Sequence, residues 1–218
     1  MASSPIFIGS FENQRLCLVA GHDIRPRLGW LAGTSGSRIH LISGASSDSG
    51  ANSVTMYVGS ALTLASAMGV GTFVDGGGGS DTITRTTGSF VDDGWKVGDR
   101  VLIQDATTLS NDVTGILTGV AATTLTFATS TIGAGEVMPS TCKLYRANIL
   151  SVQEVAITAG TVTGTAAHDF LDPTDIPGLD ASPDTYLILG PSEGLFFSAG
   201  TLLGAAERID ILVSGGDY

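Results

Sequence analysis

The chain has 218 residues, of which 43% are hydrophobic and only 14% are charged, and its net charge is −11. This length allows one large β domain or two small ones, and either is large enough to bury a core. The excess of acidic over basic residues excludes typical nucleic-acid binding and disfavours binding to anionic membranes, because both kinds of binding need clustered lysine and arginine.

Alternating apolar and polar residues predict β-strands along most of the chain. The N-terminal Met1-Ala2-Ser3-Ser4-Pro5 lacks the basic and apolar regions of a signal peptide, and no uncharged window is typical of a membrane span. In chain order, the predicted strands are residues 38–41, 54–58, 101–104, 125–127, 186–189, 195–197 and 208–213.

Helix signals are few. Residues 62–68 predict a short helix stopped by Gly69 and Gly71, and residues 91–95 predict a single turn ended by Gly94. The predicted class is therefore all-β, with a β-sandwich or jelly-roll body.

A glycine run, Gly76-Gly77-Gly78-Gly79, suggests a flexible junction before a compact antiparallel β module. We predict an inserted domain at residues 80–147 and a discontinuous body built from residues 1–79 and 148–218. The predicted core of the module consists of its large apolar residues: Phe90, Trp95, Val101, Ile103, Leu125 and Phe127.

The segment Gly190-Pro-Ser-Glu-Gly194 matches the pattern of a nucleophile elbow and follows an apolar strand. In hydrolases of that kind the catalytic histidine follows the serine, but the last histidine here is His168. Since residues 195–197 also predict a strand where the elbow needs a helix, we interpret Ser192 as part of a turn.

The remaining polar candidates do not assemble a recognisable site. His22, His40 and His168 are far apart in sequence, and Cys17 and Cys142 lack metal-ligand spacing. The simpler interpretation is that the protein originates in the cytosol and that both cysteines are reduced; a disulfide between them is the alternative.

Two acidic features need separate interpretations. The loop at residues 168–184 contains three prolines and is interpreted as solvated surface, with a Ca²⁺ site as the alternative; its five aspartates are Asp169, Asp172, Asp175, Asp180 and Asp184. Asp92-Asp93 is interpreted as part of a capped turn beside Gly94 and Trp95, because adjacent carboxylates rarely converge on one substrate.

The glycine run lacks the Lys-Ser/Thr of a phosphate-binding loop. We therefore predict no catalytic, metal or cofactor-binding residues and no enzymatic activity.

Two groups of short motifs resemble bacteriophage proteins. The start Ser4-Pro5-Ile6-Phe7, the end Gly215-Gly216-Asp217-Tyr218 and the segment Gly36-Ser37-Arg38-Ile39 resemble a group of small virion proteins of tailed bacteriophages. The inserted segment resembles a β module recurrent in phage structural proteins, through Thr82-Ile83-Thr84, Gly88-Ser89-Phe90, Gly94-Trp95, Gly98-Asp99 and Leu125-Thr126-Phe127.

This resemblance implies a head decoration (cement) protein with a jelly-roll-like body, forming a homotrimer on the outer surface of the capsid. Its expected partners are the major capsid protein and further copies of itself, and no catalytic residues are implied. The low charge suits a surface covered by neighbours.

Two other hypotheses remain. One is a tail, baseplate or fibre component that binds a host receptor or glycan, with Trp30 and Trp95 as candidate contact residues. The other is an esterase-like hydrolase that uses Ser192.

Overall fold

The structure, a computed structural model, describes residues 12–21, 24–47, 52–64, 67–129, 131–155, 168–171, 176 and 186–218. Within these residues the secondary structure is almost entirely β, with a short 3-10 helix at Leu109–Asn111. The predicted all-β class is confirmed. No helix in these ranges is long and apolar enough to cross a membrane.

The strands are numbered in chain order. They are β1 (Glu12–Val19), β2 (Arg27–Leu31), β3 (Ser37–Ser46), β4 (Asn52–Leu64), β5 (Gly71–Val74), β6 (Thr82–Arg85), β7 (Arg100–Gln104), β8 (Thr114–Val120), β9 (Thr124–Phe127), β10 (Glu136–Val137), β11 (Lys143–Val155), β12 (His168–Asp169), β13 (Leu187–Leu189), β14 (Glu193–Ala199) and β15 (Arg208–Asp217).

The chain divides into two compact units. Residues 1–58 and 149–218 form the first, here called the terminal unit, and residues 59–148 form the second, the central unit. The expected boundary at residue 80 therefore differs from the observed one, because β5 pairs with β6, where Phe73 lies opposite Ile83. The glycine run is the turn of this hairpin, closed by a hydrogen bond of 2.9 Å from Gly79 N to Gly76 O, and not a junction between domains.

The terminal unit is a β-sandwich. One sheet has the strand order β1-β15-β3-β12, with β13 also paired to β3, and all its pairs are antiparallel. Strands β4, β14 and β2 are neighbours in the second sheet. The two sheets share one core, which includes Ile39 and Ile42 of β3, Ile211 of β15 and Phe197 of β14. Inward and outward side chains alternate along the outer parts of these strands, with register shifts between Ser214 and Gly215 of β15 and between Leu195 and Phe196 of β14.

The central unit is a single antiparallel sheet with one core. Its strands follow the order β10-β5-β6-β9-β8-β7, and β7 pairs with β11. Because Phe73 of β5 and Leu144 of β11 belong to the same core, the sheet must curl around it. All six residues predicted as the core of the module lie in this cluster and are at most 3% exposed.

The predicted strands are present, but the helix predicted at residues 62–68 is wrong. Strand β4 continues through Leu64, and the buried Thr63 accepts a hydrogen bond of 2.9 Å from the Trp95 indole. Pairing with neighbouring strands overrides the weak local helix propensity here. The turn predicted at residues 91–95 is confirmed: Gly94 has a φ of 91° and donates to Val91 O over 3.0 Å.

Candidate functional site

Ser192 lies in the tight turn that connects β13 to β14. Its φ is 59°, and its backbone N–H donates to Gly33 O over 3.0 Å. The Glu193 carboxylate closes the same turn by accepting a 2.7 Å hydrogen bond from Gly190 N. Strand β14 follows, whereas a nucleophile elbow leads into a helix. The hydrogen bonds of this segment therefore explain the Gly-Pro-Ser-Glu-Gly pattern as turn structure.

The structure does not bring the described histidines into one group. His40 lies on β3 near Tyr186, and its pKa is lowered, first by burial and then by the neighbouring Arg38 charge. His168 lies on β12 with its ring edge-on to Phe170, at a centroid distance of 5.0 Å. His22 lies outside the described residues.

Most of the acidic loop also lies outside the described residues, including Asp172, Asp175, Asp180 and Asp184. Asp169 is described and accepts a hydrogen bond of 3.0 Å from Leu171 N. Across the ranges that the structure describes, no three His, Cys, Asp or Glu side chains are grouped to hold a metal ion. The suggested Ca²⁺ site therefore stays a prediction.

Asp93 has a structural role inside the central unit. Its carboxylate accepts hydrogen bonds from Thr63 Oγ1 at 2.7 Å and from Arg85 Nη1 at 2.5 Å. The Arg85 side chain is only 2% exposed and also donates to the carbonyl oxygens of Thr87 and Ala67. Asp92 is exposed, so the two adjacent carboxylates do not act together.

A shallow depression in the central unit, of about 250 Å³, gathers residues that sequence reasoning did not connect. Asp105, Ser140, Thr141, Cys142 and Lys143 lie around it. Burial, reinforced by nearby carboxylates, raises the pKa of Cys142 to about 12, so its thiol stays protonated at neutral pH. Cys17 is also a free thiol, and it is exposed in the terminal unit.

A third functional candidate is the outward side of the five-stranded sheet in the terminal unit, here called the outer face. Alternation along β3 and β13 defines it: Ile39 and Leu189 are buried, so Arg38 and Ile188 point to the opposite side. Three apolar side chains of this region are exposed, with Leu41 at 36%, Tyr186 at 38% and Ile188 at 57%. Arg38 lies opposite Ile188 in the strand register.

A second part of the outer face is concave. The small side chains of Ser43 and Ala45 leave a depression of about 310 Å³ between β3 and β15. Asp210 lies on its rim and is bridged by Arg15 at 3.1 Å and Arg208 at 3.0 Å. The charges in this part of the face are therefore already paired.

The guanidinium of Arg38 has a different environment from those of Arg15 and Arg208. Its guanidinium carbon lies 3.7 Å from the centre of the Tyr186 ring, and its buried Nε has no hydrogen-bond partner in the described part of the chain. Sequence alternation alone could place Arg38 outward, but it could not show that Tyr186 and Ile188 are its neighbours. That follows from the pairing of β13 with β3 across a long stretch of sequence.

The two tryptophans considered as glycan contacts are not available for that role. Trp30 is 2% exposed and Trp95 is 3% exposed, and each belongs to the core of its own unit. A sugar ring cannot stack on a buried indole, so this expectation is wrong.

Comparison with known proteins gives no relative. No protein-family model matches the chain, and no curated protein or solved structure matches it significantly.

Proposed function

We propose that the chain is a noncatalytic virion protein of a tailed bacteriophage, which binds the outer surface of the capsid as a decoration protein. Its partners would be the major capsid protein and further copies of the chain, in a homotrimer. The observation that carries the proposal is the outer face, where Leu41, Tyr186 and Ile188 present apolar surface beside a shallow concave region.

The composition and the sequence motifs support the same function. Only 14% of the residues are charged, which is low for a surface that stays fully in water. Exposed apolar groups that lie together mark interaction sites more often than isolated ones do. The motifs of the two termini and of the central unit resemble those of phage virion proteins.

Titration of the purified chain onto bare capsids tests the proposal. We expect saturable binding, with hundreds of copies per particle at saturation and a trimer mass for the free protein by light scattering. Binding to a tail component or to a host glycan, with no binding to capsids, would instead support a tail, baseplate or fibre protein.

A pair of variants locates the binding surface. Ile188→Asp places a charge on the outer face and should weaken capsid binding at least tenfold. Leu202→Asp is the matched control, because Leu202 is 69% exposed in the same unit but lies outside the strands of the outer face. Equal loss in both variants would contradict the assignment of the outer face.

A further inference from the structure

The charges of the terminal unit are distributed unevenly. Its sequence contains five arginines and thirteen acidic residues, a net charge of −8. Three of those five arginines, Arg15, Arg38 and Arg208, have outward positions on the five-stranded sheet. Two carboxylates share this face: Asp210, which pairs with Arg15 and Arg208, and the exposed Asp169, which lies opposite Ser43.

Among these arginines, Arg38 has the geometry of a recognition residue. Arg15 and Arg208 share the Asp210 carboxylate, whereas the Arg38 guanidinium lies over the Tyr186 ring. Stacking on an aromatic ring orients the planar guanidinium, and its N–H edge can still bind a carboxylate through two parallel hydrogen bonds. The Nε of Arg38 is buried and has no hydrogen-bond partner within the described residues, so the edge offered to a carboxylate is the one formed by the two Nη atoms.

The described neighbours of Arg38 include an exposed apolar side chain and a histidine. Ile188 lies opposite Arg38 in the register and is 57% exposed. Burial and the Arg38 charge lower the pKa of His40, so that imidazole is neutral at pH 7. The arrangement combines one oriented cation with one aliphatic surface about one cross-strand spacing away, roughly 5 Å.

We propose that Arg38, Tyr186 and Ile188 form a site for an acidic, partly aliphatic peptide segment of the partner protein. The site binds a carboxylate through the guanidinium of Arg38 and an apolar side chain on Ile188. This inference rests on the proposed capsid-binding function and specifies it: the shell contributes an acidic segment.

A peptide titration tests the chemistry without the capsid. The probes are N-acetylated, C-amidated Glu-Leu-Glu-Leu and its uncharged counterpart Gln-Leu-Gln-Leu, added to the full chain while the Arg38 Nε–H resonance is followed by NMR. We expect a saturable shift with the glutamate peptide only, with smaller shifts for Arg15 and Arg208. Equal shifts with both peptides, or no saturable shift, would overturn the proposal.

Capsid binding by variants tests the same site in the assembly. Arg38→Ala should weaken binding at least tenfold, and Arg38→Lys should recover only part of it, because lysine lacks the planar pair of donors. Arg100→Ala, in the central unit, removes the same charge and should leave binding unchanged. Wild-type affinity of Arg38→Ala for capsids would reject this site while leaving the capsid function intact.

Two further outcomes distinguish a failure of the capsid function from a site that is occupied by a second copy of the chain. If the wild-type chain does not bind capsids but the glutamate peptide shifts Arg38, acidic recognition stands and the capsid function fails. If Arg38→Ala instead dissociates the homo-oligomer in sedimentation experiments, the occupant is a second copy of this chain and the proposal of an external acidic partner is wrong.

Discussion

Arginine has opposite roles in the two units. In the central unit, Arg85 is 2% exposed and joins Asp93 to the backbone carbonyl groups of Ala67 and Thr87. In the terminal unit, Arg38 stacks on a half-exposed tyrosine at the outer face and leaves its Nε unbonded among the described residues. The comparison teaches that the central unit uses a buried guanidinium to hold loops in place, whereas the guanidinium of Arg38 in the terminal unit rests on the ring of an exposed tyrosine.

Two other buried polar side chains of the central unit also hold loops in place. Asp81 is fully buried and accepts three backbone hydrogen bonds, from Gly76, Thr131 and Ile132, at 2.6–2.9 Å. Asn111 similarly joins its own segment to Gly133 and Ala134 through two 3.0 Å bonds. In the loops of this unit, side-chain oxygens thus accept the hydrogen bonds of backbone N–H groups that have no partner in a neighbouring strand.

The largest effect should come from Asp93→Ala. This change leaves the Arg85 cation buried without its carboxylate, which typically costs about 3 kcal/mol or more. Urea unfolding followed by hydrogen exchange of peptides from residues 59–148 measures the loss. Asp92→Ala is the control, because Asp92 is exposed, and it should change the free energy of unfolding by less than about 0.5 kcal/mol. Equal effects of the two changes would contradict a structural role for Asp93.

Asp81→Asn should destabilise the central unit by about 2 kcal/mol at pH 7, because an amide nitrogen then faces backbone donors. Burial alone would raise the pKa of Asp81, but the three backbone hydrogen bonds outweigh it, and the pKa is lowered. The carboxylate therefore stabilises the fold above its unfolded pKa of about 3.9, and this contribution is lost as the pH falls through the folded pKa.

Denaturant unfolding at pH 7 and below pH 4 checks this sign. The difference between the wild-type chain and Asp81→Asn should shrink on acidification. Asp75→Asn serves as the control, since Asp75 is exposed and its carboxylate accepts a hydrogen bond of 2.8 Å from the nearby Gly77 N. A difference that grows in acid would show that the hydrogen bonds do not favour the charged form.

In the terminal unit, Ser37→Ala should cost about 1–2 kcal/mol. Ser37 Oγ accepts a 3.0 Å hydrogen bond from the buried Trp30 indole and donates to Asp217. The change leaves the indole N–H buried without its partner. Thermal unfolding monitored by exchange of the Trp30 indole proton measures the effect, and Ser35→Ala, at an exposed turn position, should be near neutral.

The smallest effect on stability should come from Arg38→Ala. A cation over a partly exposed ring contributes about 1 kcal/mol or less. Arg85→Ala should cost several times more, since it removes the ion pair with Asp93 together with two hydrogen bonds to backbone carbonyls. Parallel urea titrations of the two variants measure the ratio. Comparable losses would mean that Arg38 is also structural and would remove the contrast between the units.

Some expectations followed from short-range patterns and were met. Alternation in residues 101–104, 125–127 and 208–213 predicted strands, and the six apolar residues assigned to the module core are buried together. Period-two alternation is a local property, because successive side chains of a strand point to opposite faces whatever strand lies beside it. The all-β class could be inferred for the same reason.

Other features were decided by contacts between distant segments. The sequence by itself could not show that residues 76–79 turn a hairpin, that β4 continues through Leu64, or that Trp30 is buried. Asp81 meets residues 131 and 132, and Tyr186 meets Arg38, only because strand pairing brings them together. The sequence thus determined which residues form strands and which can enter a core, while the tertiary structure decided which strands pair and hence which polar groups meet. The physical reason is that pairing depends on the combined burial of many side chains and not on the preference of any one segment.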